Sequence, residues 1–284
     1  IKPLHDLPEH LCFDEFKSVK SSDSNMSFII CDSTTHKLVD VVRDRKSYSL
    51  KQYFYRFEPK TRLKVKTISI DMYLPYIQLI KEMFPNAKII IDPFHIVQAL
   101  NRELNRTRVR VMNKHRYKDS KLYRKLKHYW KLILKNPNEL QNYKYNRYKL
   151  FESFITSKGI VDYILEKNPS LKNDYEVVHS LRECIQDRDY IEFKETIEAA
   201  TQLDLSPGLK RVLKTLMTYL PYIQNTCEYP TRTNGPIEGI NNKIKVLKRN
   251  AYGFRNYYHF RNRIILITKM FGPKQKGIKQ QLVA

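Results

Sequence analysis

Four carboxylates in this sequence stand where a predicted strand ends or a predicted helix begins. Asp14, Asp71 and Asp92 follow β-rich runs, and Glu238 lies in the first turn of a predicted helix. Mg²⁺ prefers oxygen ligands and is usually held by one or two carboxylates together with substrate phosphate. Two such ions about 3.5–4 Å apart can stabilise the attacking and leaving oxygens of a phosphoryl transfer. The chain has 29 acids, so the strand-end positions, more than the spacing, favour a divalent-metal site.

The helix that carries Glu238 is predicted from a cap signal and an apolar stripe. Asn234 or Gly235 can serve as its N-cap, and Pro236 falls where the first turn tolerates proline. A glutamate at this position is ordinarily a capping or dipole residue, so a metal-binding role depends on the other carboxylates. The apolar stripe at helical spacing consists of Ile237, Ile240, Ile244 and Leu247. The face that holds Glu238 continues with Asn242, Lys245 and Arg249.

The elements that must position these acids form an alternating series. Strands are predicted at Leu11–Phe16, Met26–Cys31, Lys37–Arg43, Lys64–Ile70 and Ala87–Ile91. Helices are predicted at Ser47–Phe57, at Pro75–Phe84 and, after Asp92-Pro93-Phe94-His95, through Leu104. The first three strands are expected to be antiparallel, and the later two parallel through right-handed crossovers. In α/β sheets ligands bind beyond the carboxyl ends of the strands, where Asp14, Asp71 and Asp92 are expected.

A long helical segment interrupts this series. From about Arg106 to Tyr229 the β-signal disappears, and six or seven basic, tyrosine-rich helices are expected. The predicted organisation is a core in two parts, residues 1–105 and 230–284, separated by a helical insertion at 106–229. Trp130 and the tyrosines of the insertion are expected mainly in its core, although such rings can also stack on unpaired bases. The tail from Gly272 is expected to be loose.

Composition limits the classes of function. Lys and Arg number 52 against 29 acids, a net charge of +23 spread along the chain, which favours nucleic acid as partner. No run approaches the roughly 20 apolar residues of a membrane-spanning helix. The chain opens on Ile1, which we interpret as the start of a fragment that lacks an N-terminal region. The cysteines form no C-x-x-C pair, which indicates a reducing, cytoplasmic setting without a zinc or disulfide framework; they are Cys12, Cys31, Cys184 and Cys227.

Four blocks of sequence resemble those of the DDE transposases of bacterial insertion sequences, most closely the insertion-sequence L3 (ISL-three) family. The first two are Phe13-Asp14-Glu15-Phe16 and Ile70-Asp71-Met72-Tyr73 with Pro75-Tyr76. The third is Pro85-Asn86-Ala87 leading to Asp92-Pro93-Phe94-His95. The last is Asn234-Gly235-Pro236-Ile237-Glu238-Gly239 with Asn241-Asn242-Lys243-Ile244-Lys245. The resemblance covers nearly the whole chain, in the family's order.

The resemblance implies a fold, a site and an activity. The fold would be α/β and ribonuclease-H-like, a mixed sheet flanked by helices and interrupted by a large all-helical insertion. The catalytic triad would be Asp14, Asp71 and Glu238, binding two Mg²⁺ or Mn²⁺ ions. The enzyme would cleave one DNA strand at a transposon end and join the freed 3′-OH to target DNA. Its partners would be DNA and further copies of the chain on DNA, with no membrane and no small-molecule substrate, in the cytoplasm and on the nucleoid.

The segment Asp92-Pro93-Phe94-His95 resembles the C/D-x-x-H signature that follows the second aspartate in several transposase superfamilies. This likeness would make Asp92 and His95 supporting residues outside the triad. The alternative is that Asp92 is itself the second carboxylate. We favour Asp71 because it ends the first strand after the three-stranded meander. His95 is equally consistent with an ordinary histidine at a helix start.

Basic residues follow Glu238 along its helix and beyond. Singly each is typical of a solvated face, but as a group beside the proposed site we interpret them as phosphate contacts, which set affinity and position without reading sequence. They are Lys243, Lys245, Lys248, Arg249, Arg255, Arg261 and Arg263. Asp32, Asp40 and Asp44 are interpreted as turn and surface residues.

Two other functions stay open at this point. One is a catalytically inactive, transposase-derived DNA-binding protein, and the other is a ribonuclease-H-like nuclease acting on RNA–DNA hybrids. Relatives of this kind generally carry a zinc-binding or helix-turn-helix DNA-reading module N-terminal to the core. Recognition of a particular end sequence is therefore expected to lie outside this chain.

Overall fold

The computed structural model describes residues 6–22 and 24–270. The chain divides into two compact units, one formed by Ile1–Asp92 with Tyr229–Ala284 and the other by Pro93–Glu228. The tail from Gly272, which we expected to be loose, lies outside the described residues. No helix in the described part of the chain is both long enough and apolar enough to cross a membrane.

The first unit is built on a five-stranded mixed sheet. Its order is β3-β2-β1-β4-β5, with β1, β2 and β3 antiparallel and with β4 and β5 parallel to β1. The predicted α/β class, the five strands and their directions are therefore confirmed. The strands are β1 His10–Lys17, β2 Met26–Asp32, β3 Leu38–Val42, β4 Thr67–Ile70 and β5 Lys88–Ile91.

The helices of the described residues run from α1 to α12 in chain order. Those before the insertion are α1 Ser47–Phe54, α2 Pro59–Leu63 and α3 Leu74–Met83. Those of the second unit are α4 Pro93–Lys114, α5 Ser120–His128, α6 Trp130–Leu134, α7 Ser157–Glu166, α8 Pro169–Asp187, α9 Tyr190–Ala200 and α10 Pro207–Glu228, with a 3-10 turn at Pro137–Glu139. The first unit closes with α11 Gly235–Asn250 and α12 Tyr257–Met270.

Both faces of the sheet are covered. On one face Phe13 and Phe28 pack with Phe54 of α1, with ring centroids 5.6 and 6.4 Å away. On the other face Cys12 and Ile29 belong to one buried cluster with α11 and α12. Successive side chains of a strand point to opposite faces, so Cys12 and Phe13 serve different layers. The predicted apolar stripe of α11 is confirmed, because Ile237, Ile240 and Ile244 are buried in that cluster.

Several element boundaries differ from the prediction, each for a local reason. The helix from Ser47 ends at Phe54 because Glu58 precedes a proline and is held extended, after which α2 begins at Pro59. The helix after Asp92 runs on to Lys114, since its later residues Thr107 and Val111 are buried in the second unit. α12 begins at Tyr257, where Asn256 Oδ1 accepts the Tyr258 and His259 amides at 2.8 and 3.2 Å.

The described secondary structure of the second unit is helical apart from one isolated bridge, and α4 packs against α8 and α10 within it. A buried aspartate joins three of its segments. Asp174 on α8 accepts Thr107 Oγ1 of α4 at 2.7 Å and the Ser206 amide before α10 at 2.9 Å. A buried carboxylate is tolerated where donors satisfy its oxygens, so this network fixes how the helices meet.

Candidate functional site

Three aspartates stand in one row across the sheet. β1 pairs with β4 up to Cys12↔Ser69, and β4 pairs with β5 up to Ile70↔Ile91. Continuing both registers sets Asp14 beside Asp71 and Asp71 beside Asp92. Neighbouring strands lie about 4.8 Å apart, so the row gathers these carboxylates where β4 and β5 end.

Asp14 reaches this row differently from the prediction. We expected this strand to end close to Asp14 and Glu15, but β1 continues to Lys17. The edge of β1 that faces β2 stays paired as far as Met26, and this pairing extends the strand. Asp14 nevertheless lies just past the last residue of β1 that pairs with β4. It is therefore equivalent to a strand end on the side that faces Asp71.

Asn241 of α11 and Asn234 at its N-cap are hydrogen-bonded to the first two aspartates. Asn241 Nδ2 donates to Asp14 Oδ2 at 2.7 Å, while Asp14 Oδ1 accepts the amide of Glu15 at 2.7 Å. Asn234 Nδ2 donates to Asp71 Oδ1 at 3.2 Å and to the carbonyl of Phe13 at 3.2 Å. Asn234 occupies the N-cap position as predicted, but its side chain makes no capping bond to the helix. We did not foresee that these amides would reach across to the sheet.

Glu238 lies between the two asparagines on α11. Positions 234, 238 and 241 are spaced i, i+4 and i+7, so they share one face of the helix. That face is the one from which Asn234 and Asn241 reach the aspartates, and the Glu238 side chain on it is exposed. The apolar stripe of this helix is buried against the sheet, and the two asparagines that flank Glu238 reach Asp14 and Asp71.

A tighter cluster forms on the other side of Asp71. Ligand atoms of Asp71, Asp92 and His95 lie within 4.8 Å of one another. His95 is in the first turn of α4, which begins directly after Asp92, so these two residues are close through one continuous turn of chain. Two carboxylates and an imidazole suit a divalent ion. Among the described residues, Asp14, Asp71 and Glu238 are not gathered within the same radius.

The match of this chain to known proteins spans all of these site residues. Residues 11–264 match a transposase family, that of insertion-sequence L3. The chain belongs to this family.

The matches of this transposase-family chain to two curated relatives cover different shares of the chain. The chain is 28% identical over 257 residues to the transposase for insertion sequence element IS1001 of Bordetella parapertussis, which covers 89% of the chain and 59% of that protein. It is 36% identical over 130 residues to a protein of Lactococcus lactis subsp. lactis named ATP-dependent protease, covering 46% of the chain and 40% of that protein. The chain therefore spans between 40% and 59% of the length of these relatives. No solved structure matches it.

The cations predicted to bind DNA fall into two groups in this transposase-family chain. Lys248 Nζ donates to the carbonyls of Lys17 and Ser18 at 2.9 and 3.0 Å, and burial lowers its pKa. Arg261 pairs with Asp40, and its Nε donates to the carbonyl of Val41 at 3.0 Å. The exposed members are Lys243, Lys245, Arg249, Arg255 and Arg263.

The prediction that certain aspartates are turn or surface residues is confirmed for Asp32 and wrong for Asp40. Asp32 is a turn residue, since its Oδ1 accepts the amides of Thr34 and Thr35 at 2.7 and 3.1 Å. The prediction is wrong for Asp40, which is buried and also accepts Tyr53 Oη at 2.9 Å. Asp40 is buried because α12 supplies it with the charge of Arg261.

Proposed function

We propose that this chain is the catalytic core of a DDE transposase with Asp14, Asp71 and Glu238 as its triad. One observation carries the proposal: a single face of α11 presents Glu238 between two asparagines, one bonded to Asp14 and the other to Asp71. Family membership over residues 11–264 supports the same reading. We also propose that the fold is ribonuclease-H-like, which the change from antiparallel to parallel pairing at β1 supports.

The residues present fit Mg²⁺ or Mn²⁺. Asn234 Oδ1 and Asn241 Oδ1 are buried without a hydrogen-bond partner, so two neutral oxygens stand beside Asp14 and Asp71. Oxygen-rich sites of this kind suit hard divalent cations and their bound waters. Asp14, Asp71 and Glu238 would hold the ions, and Asp92 and His95 would support them. When bound, the ions would stabilise the attacking and leaving oxygens of the phosphoryl transfer.

The chain's own residues orient this chemistry. The Glu15 amide and the Asn241 side chain fix both oxygens of Asp14, so this carboxylate is positioned before any ligand arrives. Exposure of Glu238 leaves it accessible to a bound DNA strand. The positive dipole end of α11 favours a phosphate close to Glu238.

DNA would lie along the exposed cations. Lys243, Lys245 and Arg249 continue from Glu238 on α11, and Arg255 and Arg263 follow. We leave Lys248 and Arg261 out of this set because both are engaged with β1 or β3. In this proposal the substrates are a transposon end and target DNA, bound by more than one copy of the chain.

The test is Mg²⁺-dependent strand transfer by the full chain on a duplex that carries the inverted repeats flanking its gene. Asp71→Asn and Glu238→Gln remove a negative charge at nearly constant volume, and each should abolish strand transfer while leaving duplex affinity within about twofold of wild type, because affinity comes from phosphate contacts. Glu195→Gln, a matched change at an exposed position on α9, should have no effect.

The alternatives give different results in the same assay. Wild-type strand transfer in Asp71→Asn together with its loss in Asp92→Asn would move the second ligand to Asp92. Wild-type strand transfer in Glu238→Gln would refute the triad. Tight duplex binding without Mg²⁺ binding in calorimetry would identify an inactive DNA-binding protein, and faster cleavage of an RNA–DNA hybrid would identify a nuclease.

A further inference from the structure

Residues 141–156 of the helical unit form a tongue between the Pro137–Glu139 turn and α7. One antiparallel bridge closes it, with Asn146 N donating to Ile155 O at 3.0 Å and Ile155 N donating to Asn146 O at 3.1 Å. At its base the Gln141 amide donates to Ser157 Oγ at 2.8 Å. The tongue therefore has a defined backbone although it contains no helix.

Two of its five aromatic side chains anchor it. The rings of Tyr148 and Phe151 contact Tyr129, with centroids 6.3 and 5.8 Å away. Phe151 also contacts Tyr163 at 5.4 Å. Between these anchors Leu150 has φ +71°, a left-handed conformation that a bulky residue adopts only where its surroundings impose it. The anchoring rings thus hold the tongue in one strained shape.

The remaining rings point away from the core. Tyr143, Tyr145 and Phe154 are 77%, 64% and 67% exposed. Aromatic side chains this large are normally well buried, and exposed apolar patches mark interaction surfaces. Side chains alternate along extended chain, so the residues next to the bridged pair, Tyr145 and Phe154, are expected on one face.

Cations are interleaved with the exposed rings. Lys144, Arg147 and Lys149 are exposed, against one exposed acid, Glu152. This combination of stacking rings and positive charge fits a strand of unpaired nucleotides, whose bases offer free π-faces and whose backbone is anionic. A duplex hides those faces and could use the cations alone. An ordinary protein partner would cover the rings but would not account for the excess of cations.

We propose that the tongue binds unpaired nucleotides, with bases stacked on Tyr143, Tyr145 and Phe154 and phosphates held by Lys144 and Arg147. This binding surface requires no metal and no carboxylate of the first unit. It can therefore be tested independently of the proposed strand transfer.

The experiment measures binding of a labelled oligothymidine strand and a labelled duplex to the full chain by fluorescence anisotropy in EDTA. The double variant Tyr145→Ala/Phe154→Ala should bind oligothymidine at least about tenfold more weakly, because it removes two of the three exposed rings on which bases would stack. Its duplex affinity should change by less than about twofold, since the phosphate contacts remain. Tyr145→Phe keeps the ring and should bind as wild type does.

Tyr48→Ala, the same truncation at a ring that is 72% exposed on α1, is the matched control and should leave oligothymidine binding unchanged. Photo-crosslinking of an iodouracil-substituted strand to the wild-type chain needs no variant to fold, and it should label the tongue. Wild-type affinity in the double variant, equal losses for strand and duplex, or crosslinks only outside residues 141–156 would each overturn the proposal. So would a loss that coincides with dissociation of an oligomer, because a second copy would then be the occupant.

Discussion

Asp14 and Glu15 are adjacent carboxylates with opposite surroundings. Asp14 points towards α11, whereas Glu15 lies on the side of β1 covered by α1 and α3. There Arg45 Nη1 donates to both Glu15 oxygens at 2.6 and 2.7 Å, and Tyr76 Oη donates at 2.9 Å. The bond to Glu15 raises the pKa of Arg45, and burial with the charge of Glu15 raises that of Tyr76. The pleat of one strand thus separates a carboxylate used in an ion pair from one offered to the proposed metal site.

We predict that Asn241→Ala weakens the proposed metal site without weakening DNA binding. It removes the amide that holds Asp14 Oδ2, and loss of a partner that orients a metal ligand typically costs 10–100-fold in metal affinity or activity. Strand transfer measured across a Mg²⁺ titration should need more Mg²⁺ and be slower by about that factor. Asn242→Ala, at the exposed neighbouring position, is the control. An unchanged Mg²⁺ dependence in Asn241→Ala would contradict a positioning role.

The position of a site residue could be predicted from the sequence where a strand end marks it. It could not be predicted where it depends on how a helix packs on the sheet. Asp71 and Asp92 could be placed because they follow short apolar strands, and strand ends are visible in the pattern. The roles of Asn234 and Asn241 could not, because an amide has no marked preference for carboxylates over solvent. Only the register of α11 on β1 brings the Asn241 amide to Asp14. The signal in the sequence that could have indicated these roles is helical spacing: Asn234 lies four residues before Glu238, and Asn241 lies three residues after it.

At the scale of elements, α8 completes the end of α6. The last carbonyls of a helix have no partner within it. His179 Nε2 donates to the carbonyl of Ile133 at 3.1 Å, and Arg182 Nη1 donates to that of Leu134 at 3.0 Å. Arg182 Nη1 also donates to His179 Nδ1 at 3.1 Å, which requires a neutral imidazole with its proton on Nε2. Burial lowers the pKa of His179 to about 4.

This contact predicts that the second unit loses stability as the pH falls. Above pH 6.5, the ordinary pKa of histidine, His179 is neutral in both folded and unfolded chains and has no effect. Between pH 6.5 and 4 the unfolded chain takes up the proton and the folded chain does not, so the free energy of unfolding decreases by about 2 kcal/mol from pH 7 to pH 5. Urea unfolding at both pH values measures this. His179→Gln should flatten the dependence, and the exposed His128→Gln should not. Equal slopes in all three proteins would refute it.

Element types were predictable from the sequence, and element ends less so. Period-two and helical patterns gave all five strands and the stripe of α11, because burial on one face leaves that pattern in the sequence. The ends depend on partners elsewhere in the chain. Lys17 extends β1 because β2 still pairs there, and Lys114 ends a helix whose later turns are buried by α8 and α10.

At the scale of the whole molecule, the net charge of +23 dominates the expected interaction with DNA. A charge of this size attracts any polyanion at long range and does not distinguish one DNA sequence from another. The structure reduces the cations beside Glu238 to those that are exposed. Lys248 illustrates the difference, since its ammonium group already donates to two backbone carbonyls. Charge alone could not have separated it from Lys245.

The salt dependence of duplex binding should therefore separate contacting from non-contacting cations. Each phosphate contact that releases a counterion adds about 0.9 to the slope of log affinity against log salt concentration. Lys245→Ala and Arg249→Ala should each reduce that slope by about 0.9, measured by anisotropy over a salt series. Lys194→Ala, at an exposed lysine of α9, carries the same charge change and should leave the slope as in wild type. If all three substitutions lowered the slope equally, DNA would be responding to net charge, and α11 would not be its contact surface.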